Sequence, residues 1–364
     1  MTVGMPVIEI NFKQRATSLI ERSERGYAVL IMRDATSAMF NCKTYSEITE
    51  VEADESMYTP ENLQYIKDAF EFGTFRVVVV KIGEGEEDTI SSALKIVEKN
   101  VDTGWVTICD GKTEDFTTLT SWTKTKESNK KTYKSVVYKV NTTDSRHIVN
   151  FYNNKVTFKD DRAEQSGEKY LPTLAGIFAV CNVKKGCVNF KCTNLMAVEE
   201  VEDNDEALEA GNFILYNDKN YVRIANDVNS LTTLDGKTLT EDMRFIENVE
   251  VMDLITDDIR DEFKENYQGP YKNKYDNQIL FISAVKGYFR NLTEEDILDE
   301  EYENNAFINV EKQRKAWIDS GKEEAKDWNE ITVKKRTYKR SLFLGGDIKI
   351  LGSMVNLDFD ISLF

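Results

Sequence analysis

The sequence predicts a two-part chain: an α/β domain on a mostly parallel sheet, followed by an α+β domain. Strands and helices alternate from "FRVVVVKIG" to "LPTLAGIFAVCN", the order that βαβ units produce. Within the first of these, Val77 to Val80 are apolar without alternation, as a strand covered on both faces must be. Near residue 236 the pattern changes to long helical periodicities. The 364 residues also exceed the size at which one core stops growing, which again favours two domains.

The elements follow in order. In "MPVIEINFKQ", Ile8, Ile10 and Phe12 alternate with Glu9, Asn11 and Lys13, the period of a strand with one buried face. The polar stretch "KQRATSLIERSERG" reads as an arm or linker, and Tyr27 to Met32 as a buried strand. In "ENLQYIKDAFEFG", Leu63, Ile66 and Phe70 share a helical face and Gly73 supplies a stop. Helices are expected at "TISSALKIVEKN", "EDFTTLTSWTKTKESN" and "LPTLAGIFAVCN", and strands at "GWVTICD", "YKSVVYKV" and "HIVNFYN". Further strands run from "NLMAVEEVE" to "NFILYNDKNYVRIAND", with "NDKN" as a turn. Thr238 and Glu241 have capping-box spacing before a helix carrying Met243, Ile246, Val249, Met252, Ile255, Ile259 and Phe263. Helices "NQILFISAVKGYFRNL" and "NVEKQRKAWIDSG" come next. The strand "NEITVKKRTYKRSLFL", a "GG" turn, "DIKIL" and the alternating "SMVNLDFDISLF" then form a closing antiparallel hairpin. In that last segment Val355, Leu357, Phe359, Ile361 and Leu363 alternate with Asn356, Asp358, Asp360 and Ser362. Both ends thus read as strands in search of a sheet.

Composition narrows the function. With 41% hydrophobic and 30% charged residues the chain is an ordinary soluble globular protein, and no stretch is apolar and long enough to span a bilayer. No secretory signal opens the sequence, so folding in the cytosol is expected. The net charge of -17 argues against non-specific nucleic-acid binding. Cys42, Cys109, Cys181, Cys187 and Cys192 show no C-x-x-C spacing, and the single histidine, His147, is distant in sequence. Reduced packing thiols are the better reading than zinc.

No catalytic constellation is legible. Phosphate loops, H-E-x-x-H helices and G-x-S-x-G elbows are absent, and in "KIGEGEEDT" the residues Glu84, Glu86 and Glu87 would repel a pyrophosphate. Asp253, Asp257 and Asp261 stand four apart on one helical face, where a hard cation or a solvated surface are both readings. His147 has no partner readable from sequence. No catalytic residue, metal ligand or cofactor is therefore assigned. Basic residues cluster against the overall sign: Lys124, Lys126, Lys130, Lys131 and Lys134; Lys312, Arg314 and Lys315; and Lys334, Lys335, Arg336, Lys339 and Arg340. They serve either as contact patches for acidic neighbours, other copies of the chain included, or simply as solubilising charge.

Taken together, "NLQYIKDAFEFG", "WVTICD", "DVNSLTTL", "VEVMDLITDDIRDEFKENYQGPYKNKYDNQILFISAVKGYF", "VEKQRKAWI" and "LGGDIKILGSMVNLDFDI" resemble the tail sheath proteins of contractile phages from Gram-positive hosts. They are similar also to the sheaths of R-type bacteriocins of the diffocin kind. The resemblance runs along nearly the whole chain and is most specific from Asp227 onward.

It implies a structural, non-enzymatic subunit that polymerises as stacked hexameric rings around an inner tube and contracts to drive the tube through a cell envelope. It further implies an N-terminal arm (1–21), an outer α/β domain (22–235), a C-terminal inner domain of helices and a first strand (236–340), and a hairpin with a donated strand (341–364). The inner sheet would be completed by terminal strands of neighbouring subunits, through Ile8, Ile10, Phe12, Val355, Leu357, Phe359, Ile361 and Leu363. Lys312, Arg314, Lys315 and Lys322 would face the tube. Arg15 to Arg25, Gly345, Gly346 and Gly352 would act as hinges, with a turn as the alternative role of Gly345 and Gly346. Implied partners are other copies of the chain, the tail tube protein, the baseplate and the terminator or collar proteins, without direct nucleic-acid contact or membrane insertion. Assembly would occur in the bacterial cytoplasm, with the product part of a phage tail or a released bacteriocin. Competing readings are another self-assembling phage protein, capsid-like or of the baseplate, and a carboxylate-dependent metal hydrolase at Asp253, Asp257 and Asp261.

Overall fold

The computed structural model describes residues 26–362 except 84, 86 and 182. These residues fall into two compact units: 26–255 with 352–362, and 256–351. The expected calls at Ile8, Ile10, Phe12, Arg15 to Arg25 and Leu363 lie outside the described residues.

The larger unit opens with β1 (Tyr27–Arg33) and β2 (Cys42–Tyr45), followed by α1 (Ile48–Ala53) and α2 (Pro60–Phe70). It then alternates β3 (Arg76–Ile82), α3 (Ile90–Asn100), β4 (Gly104–Ile108), α4 (Thr113–Ser128), β5 (Tyr133–Tyr138) and β6 (Ile148–Phe151). After β7 (Lys155–Phe158), β8 (Glu164–Ser166), α5 (Leu171–Val180), β9 (Leu195–Val198) and α6 (Asn204–Glu209), the short strands β10 (Asn212–Phe213), β11 (Leu215–Asp218) and β12 (Tyr221–Ile224) lead to α7 (Ile246–Glu262).

Seven strands form one sheet in the order β10-β6-β5-β4-β1-β3-β2. Only the edge pair β2 with β3 is antiparallel. Ala28 to Met32 and Val77 to Ile82 are buried without a break, so both sheet faces are covered, as the unalternated valines require. Helix α5 packs on α2, β1 and β4, and α3 packs on α4. Gly176 permits the α5–α2 crossing, because a Cβ there would stand 2.2 Å from the carbonyl oxygen of Ala69. Thr59 caps α2 by accepting from the Asn62 N–H at 3.3 Å, with Pro60 in its first turn. Gly73, at φ +84°, follows its end. The sheets β8-β7-β9 and β11-β12 complete the unit, and Lys219 takes a left-handed φ of +48° in the "NDKN" turn.

The smaller unit holds the end of α7, a π-helical turn at Phe263–Tyr267, α8 (Tyr275–Glu294), β13 (Asn305–Ile308), α9 (Val310–Asp319), α10 (Glu330–Lys335) and β14 (Leu344–Asp347). Its two strands pair antiparallel, Phe307 with Gly345 and Ala306 with Gly346.

The two compact units meet inside α7, and residues 226–246 bond within the larger one: Ser230 N–H donates to the Ile148 carbonyl at 2.8 Å. Three expectations are corrected. No capping box forms at Thr238; its hydroxyl donates instead to Asp235, and a short 3-10 turn at Glu241–Arg244 precedes the helix. The strand expected over "NEITVKKRTYKRSLFL" begins as α10, started by Asn329, whose side chain accepts from the Thr332 N–H at 2.8 Å. Lastly, Gly345 and Gly346 sit inside β14 rather than in a hairpin turn, and neither has the positive φ that a two-residue turn demands. The half-exposed Phe307 ring lies across Gly345, where a Cβ would stand 2.7 Å from it.

Candidate assembly surfaces

Residues 352–362 have no secondary structure, and every one is exposed. Leu357 is 90%, Phe359 73% and Ile361 71% accessible, values opposite to those their alternation predicts for a strand paired within its own chain. Their apolar face is built but uncovered. The base of the segment is fixed: Ser353 Oγ donates to Glu247 Oε1 at 2.9 Å and its N–H to Oε2 at 3.2 Å. Gly352, next to it, has open space where a Cβ would go.

In the smaller unit, β13 and β14 have one partner each among the described residues, so each presents one edge of unpaired backbone groups. The ladder is prolonged by Asn309 N–H donating to the Phe343 carbonyl at 2.9 Å and Leu351 N–H to the Ile297 carbonyl at 3.0 Å.

Helix α9 is started by Asn309, whose side chain accepts from the Lys312 N–H at 2.9 Å. Gln313 is buried on its inner face and donates to the Val333 carbonyl at 2.6 Å. Lys312 and Lys315, three residues apart, are exposed together on the outside. Lys322 is exposed too, 3.4 Å from Glu324. Arg314 differs from these three: its guanidinium donates to the carbonyls of Ala325 at 2.8 Å and Trp328 at 2.6 Å. It ties the loop after α9 to the helix instead of presenting charge outward.

The basic cluster around residue 130 is likewise not one patch. Lys134 is buried on β5, where its ammonium meets Glu250 at 3.1 Å and Asp253 at 3.0 Å on α7. Trp105 Nε1 donates to Glu250 at 2.9 Å, and His147 Nε2 lies 3.0 Å from the other Asp253 oxygen. The histidine thus finds a partner 106 positions away, a distance no local pattern could reveal. These charges hold α7 against the sheet of the larger unit. They also resolve the acidic run: Asp253 is taken by Lys134, Asp257 pairs with Arg260 at 2.5 Å, and Asp261 is exposed. Among the described residues no group of three or more His, Cys, Asp or Glu could hold a metal ion. Four cysteines are buried, and burial pushes the Cys181 thiol up to about 11 and that of Cys192 to about 12, which leaves them protonated and unreactive. No helix of the described residues is long and apolar enough to cross a membrane.

Residues 238–364 match the family described as the phage tail sheath C-terminal domain. The tail sheath protein of Clostridium phage phiCD119 is 26% identical over 377 aligned positions, covering 99% of each chain. Among solved structures, the helical sheath of the anti-feeding prophage in its contracted state superposes with a TM-score of 0.70 at 11% identity, over 99% of both chains. A sheath tail protein from Desulfitobacterium hafniense gives 0.66 at 15% identity, over 83% of this chain and 94% of that one. At these identities the structural likeness is one of fold.

Proposed function

We infer that this chain is a sheath subunit of a contractile tail, a reading supported by the full-length kinship with a phage tail sheath protein and by the sheath-domain match of residues 238–364. The observation that carries the mechanism is the exposed apolar face of residues 352–362 in a chain that also holds a two-stranded sheet, each strand of which has one partner among the described residues. An exposed alternating segment and an unpaired edge are complementary halves of strand addition. Each copy gives the segment Val355 to Ile361 to a neighbour's β13–β14 sheet and receives another in return. Backbone bonds contribute about 0.5–1.5 kcal/mol each, and burial of the leucine, phenylalanine and isoleucine adds about 1.5–3 kcal/mol per side chain. Summed over a polymer these links form a mesh.

Stacked hexameric rings around an inner tube, released from an extended state by the baseplate, then contract by moving subunits as rigid bodies while the donated strands stay paired. The linkers at Gly352 and in the polar stretch around Arg15 to Arg25 take up the rotation. The free energy is stored as a difference between two packings, so the subunit needs no nucleotide and no catalytic residue.

Lys312, Lys315 and Lys322 face the tube through weak, screenable charge contacts that contraction breaks. Lys315→Glu tests this: polymers of the sheath alone should form as before, while co-assembly around purified tube falls. Normal tube-bound assembly of Lys312→Glu and Lys315→Glu variants at low salt would remove the tube-facing role.

A further inference from the structure

The smaller unit carries an open groove of about 530 Å³, within the range of small-molecule sites. Its floor is aromatic: Phe281 lies 5.3 Å from Phe263 and 4.7 Å from Tyr267, centroid to centroid. Tyr271, which is exposed, stacks on Tyr267 at 5.2 Å with the rings 28° apart, so a stacked tyrosine pair lines the groove. In a chain of net charge -17, three cations line it, Lys272, Lys339 and Arg340, and among the described residues no carboxylate does. None of the three forms an ion pair among the described residues.

The cations are held in place. Asn273 Nδ2 donates to the carbonyls of Tyr338, Lys339 and Ser341 at 3.3, 3.2 and 3.0 Å. Thr337 Oγ1 donates back to the Asn273 carbonyl at 2.8 Å, which pins the basic segment to the residues before α8. Lys339 takes a left-handed φ of +42°, a conformation that costs a side-chain-bearing residue free energy and that clusters at ligand sites. The groove also contains a lone acceptor. Gln278 is only 3% exposed, and its Nε2 donates to Asn273 Oδ1 at 2.6 Å, but its Oε1 has no hydrogen-bond partner. Buried polar atoms are almost always paired, so this oxygen marks a place for an N–H donor.

We propose that the groove binds a nucleoside phosphate whose base carries an exocyclic amine. Each feature matches one part of that ligand. Clustered cations without carboxylate partners suit a compact polyanion. A tyrosine ring offers its face to a planar base, and Gln278 Oε1 accepts from the amine. An inorganic anion would use the cations alone. An acidic peptide would spread its same-face carboxylates about 7 Å apart along an extended chain, whereas these three cations border one small groove. With no carboxylate in the lining to hold a magnesium ion or orient a water, the groove binds its ligand without hydrolysing it, so occupancy supplies no energy to contraction. The site is independent of strand donation.

The test titrates the full chain into N-methylanthraniloyl-ATP at low salt with a chelator present and follows fluorescence anisotropy. Saturable binding is expected, displaced by unlabelled ATP at about tenfold lower concentration than by sodium triphosphate or adenosine. Lys339→Ala with Arg340→Ala should weaken binding at least about tenfold, while Lys312→Ala with Lys315→Ala, equally basic and exposed, should leave it within about twofold. Gln278→Leu should remove the preference for ATP over triphosphate. Purine riboside triphosphate, which lacks the amine, reads the same contact without altering the protein and should compete about tenfold less well than ATP. No saturation up to millimolar probe overturns the site, as does an equal loss in the two double variants. Triphosphate competing as well as ATP overturns the nucleoside assignment.

Discussion

Arg314 and Lys315 are neighbours in sequence with opposite duties, and the difference can be measured. The Arg314 guanidinium holds two loop carbonyls at 2.8 and 2.6 Å, so Arg314→Ala should cost about 2 kcal/mol in chemical denaturation. Lys315 is exposed, so its reversal should leave the melting temperature within about 2 °C. A cluster of basic letters in sequence cannot separate the two, because which of them turns inward depends on a loop that returns ten residues later. Asp227 makes a second residue-scale prediction. Burial pushes its carboxyl up to about 6, although the Glu247 N–H lies 3.4 Å from it. Between the ordinary carboxylate value of 3.8 and about 6, the folded chain keeps a proton that the unfolded chain has released. Stability should therefore fall by about 3 kcal/mol as the pH rises through this window and level off above it. Asp227→Asn should flatten that slope in denaturant titrations between pH 4 and pH 7.

At the scale of elements, the parallel sheet was legible because its signal is local: apolar runs for β1 and β3, and for α2 an amphipathic face with a glycine stop. The alternating end segment was legible as a pattern too, but its fate was not, since alternation says that a face must be covered and not by whom. What failed depended on cross-strand and long-range partners. Gly345 and Gly346 looked like a turn, yet they pair with Phe307 and Ala306 inside β14. Lys134 looked like surface charge, yet its partners sit more than a hundred positions later on α7. Lys134→Met should lower stability by about 3–5 kcal/mol, because it leaves Glu250 and Asp253 buried without their ammonium partner. Changing Glu250 to Gln and Asp253 to Asn in the same chain should recover part of that loss. A single-substitution effect within about 0.5 kcal/mol would show that the network does not anchor α7.

For the whole molecule, the proposed polymer joins two features, an exposed apolar segment and a two-stranded sheet with no further strand partner among the described residues. The segment exposes leucine, phenylalanine and isoleucine together, and among the described residues the outer edges of β13 and β14 have no strand partner. The proposed strand addition between copies covers both at once. The most direct test is negative-stain electron microscopy of the full chain beside a version lacking 355–364, each alone and with purified tube protein. The full chain should form hollow, helically striated tubes, and the truncated one a folded, monodisperse subunit. Tubes of equal length and number from the truncated chain would contradict strand donation.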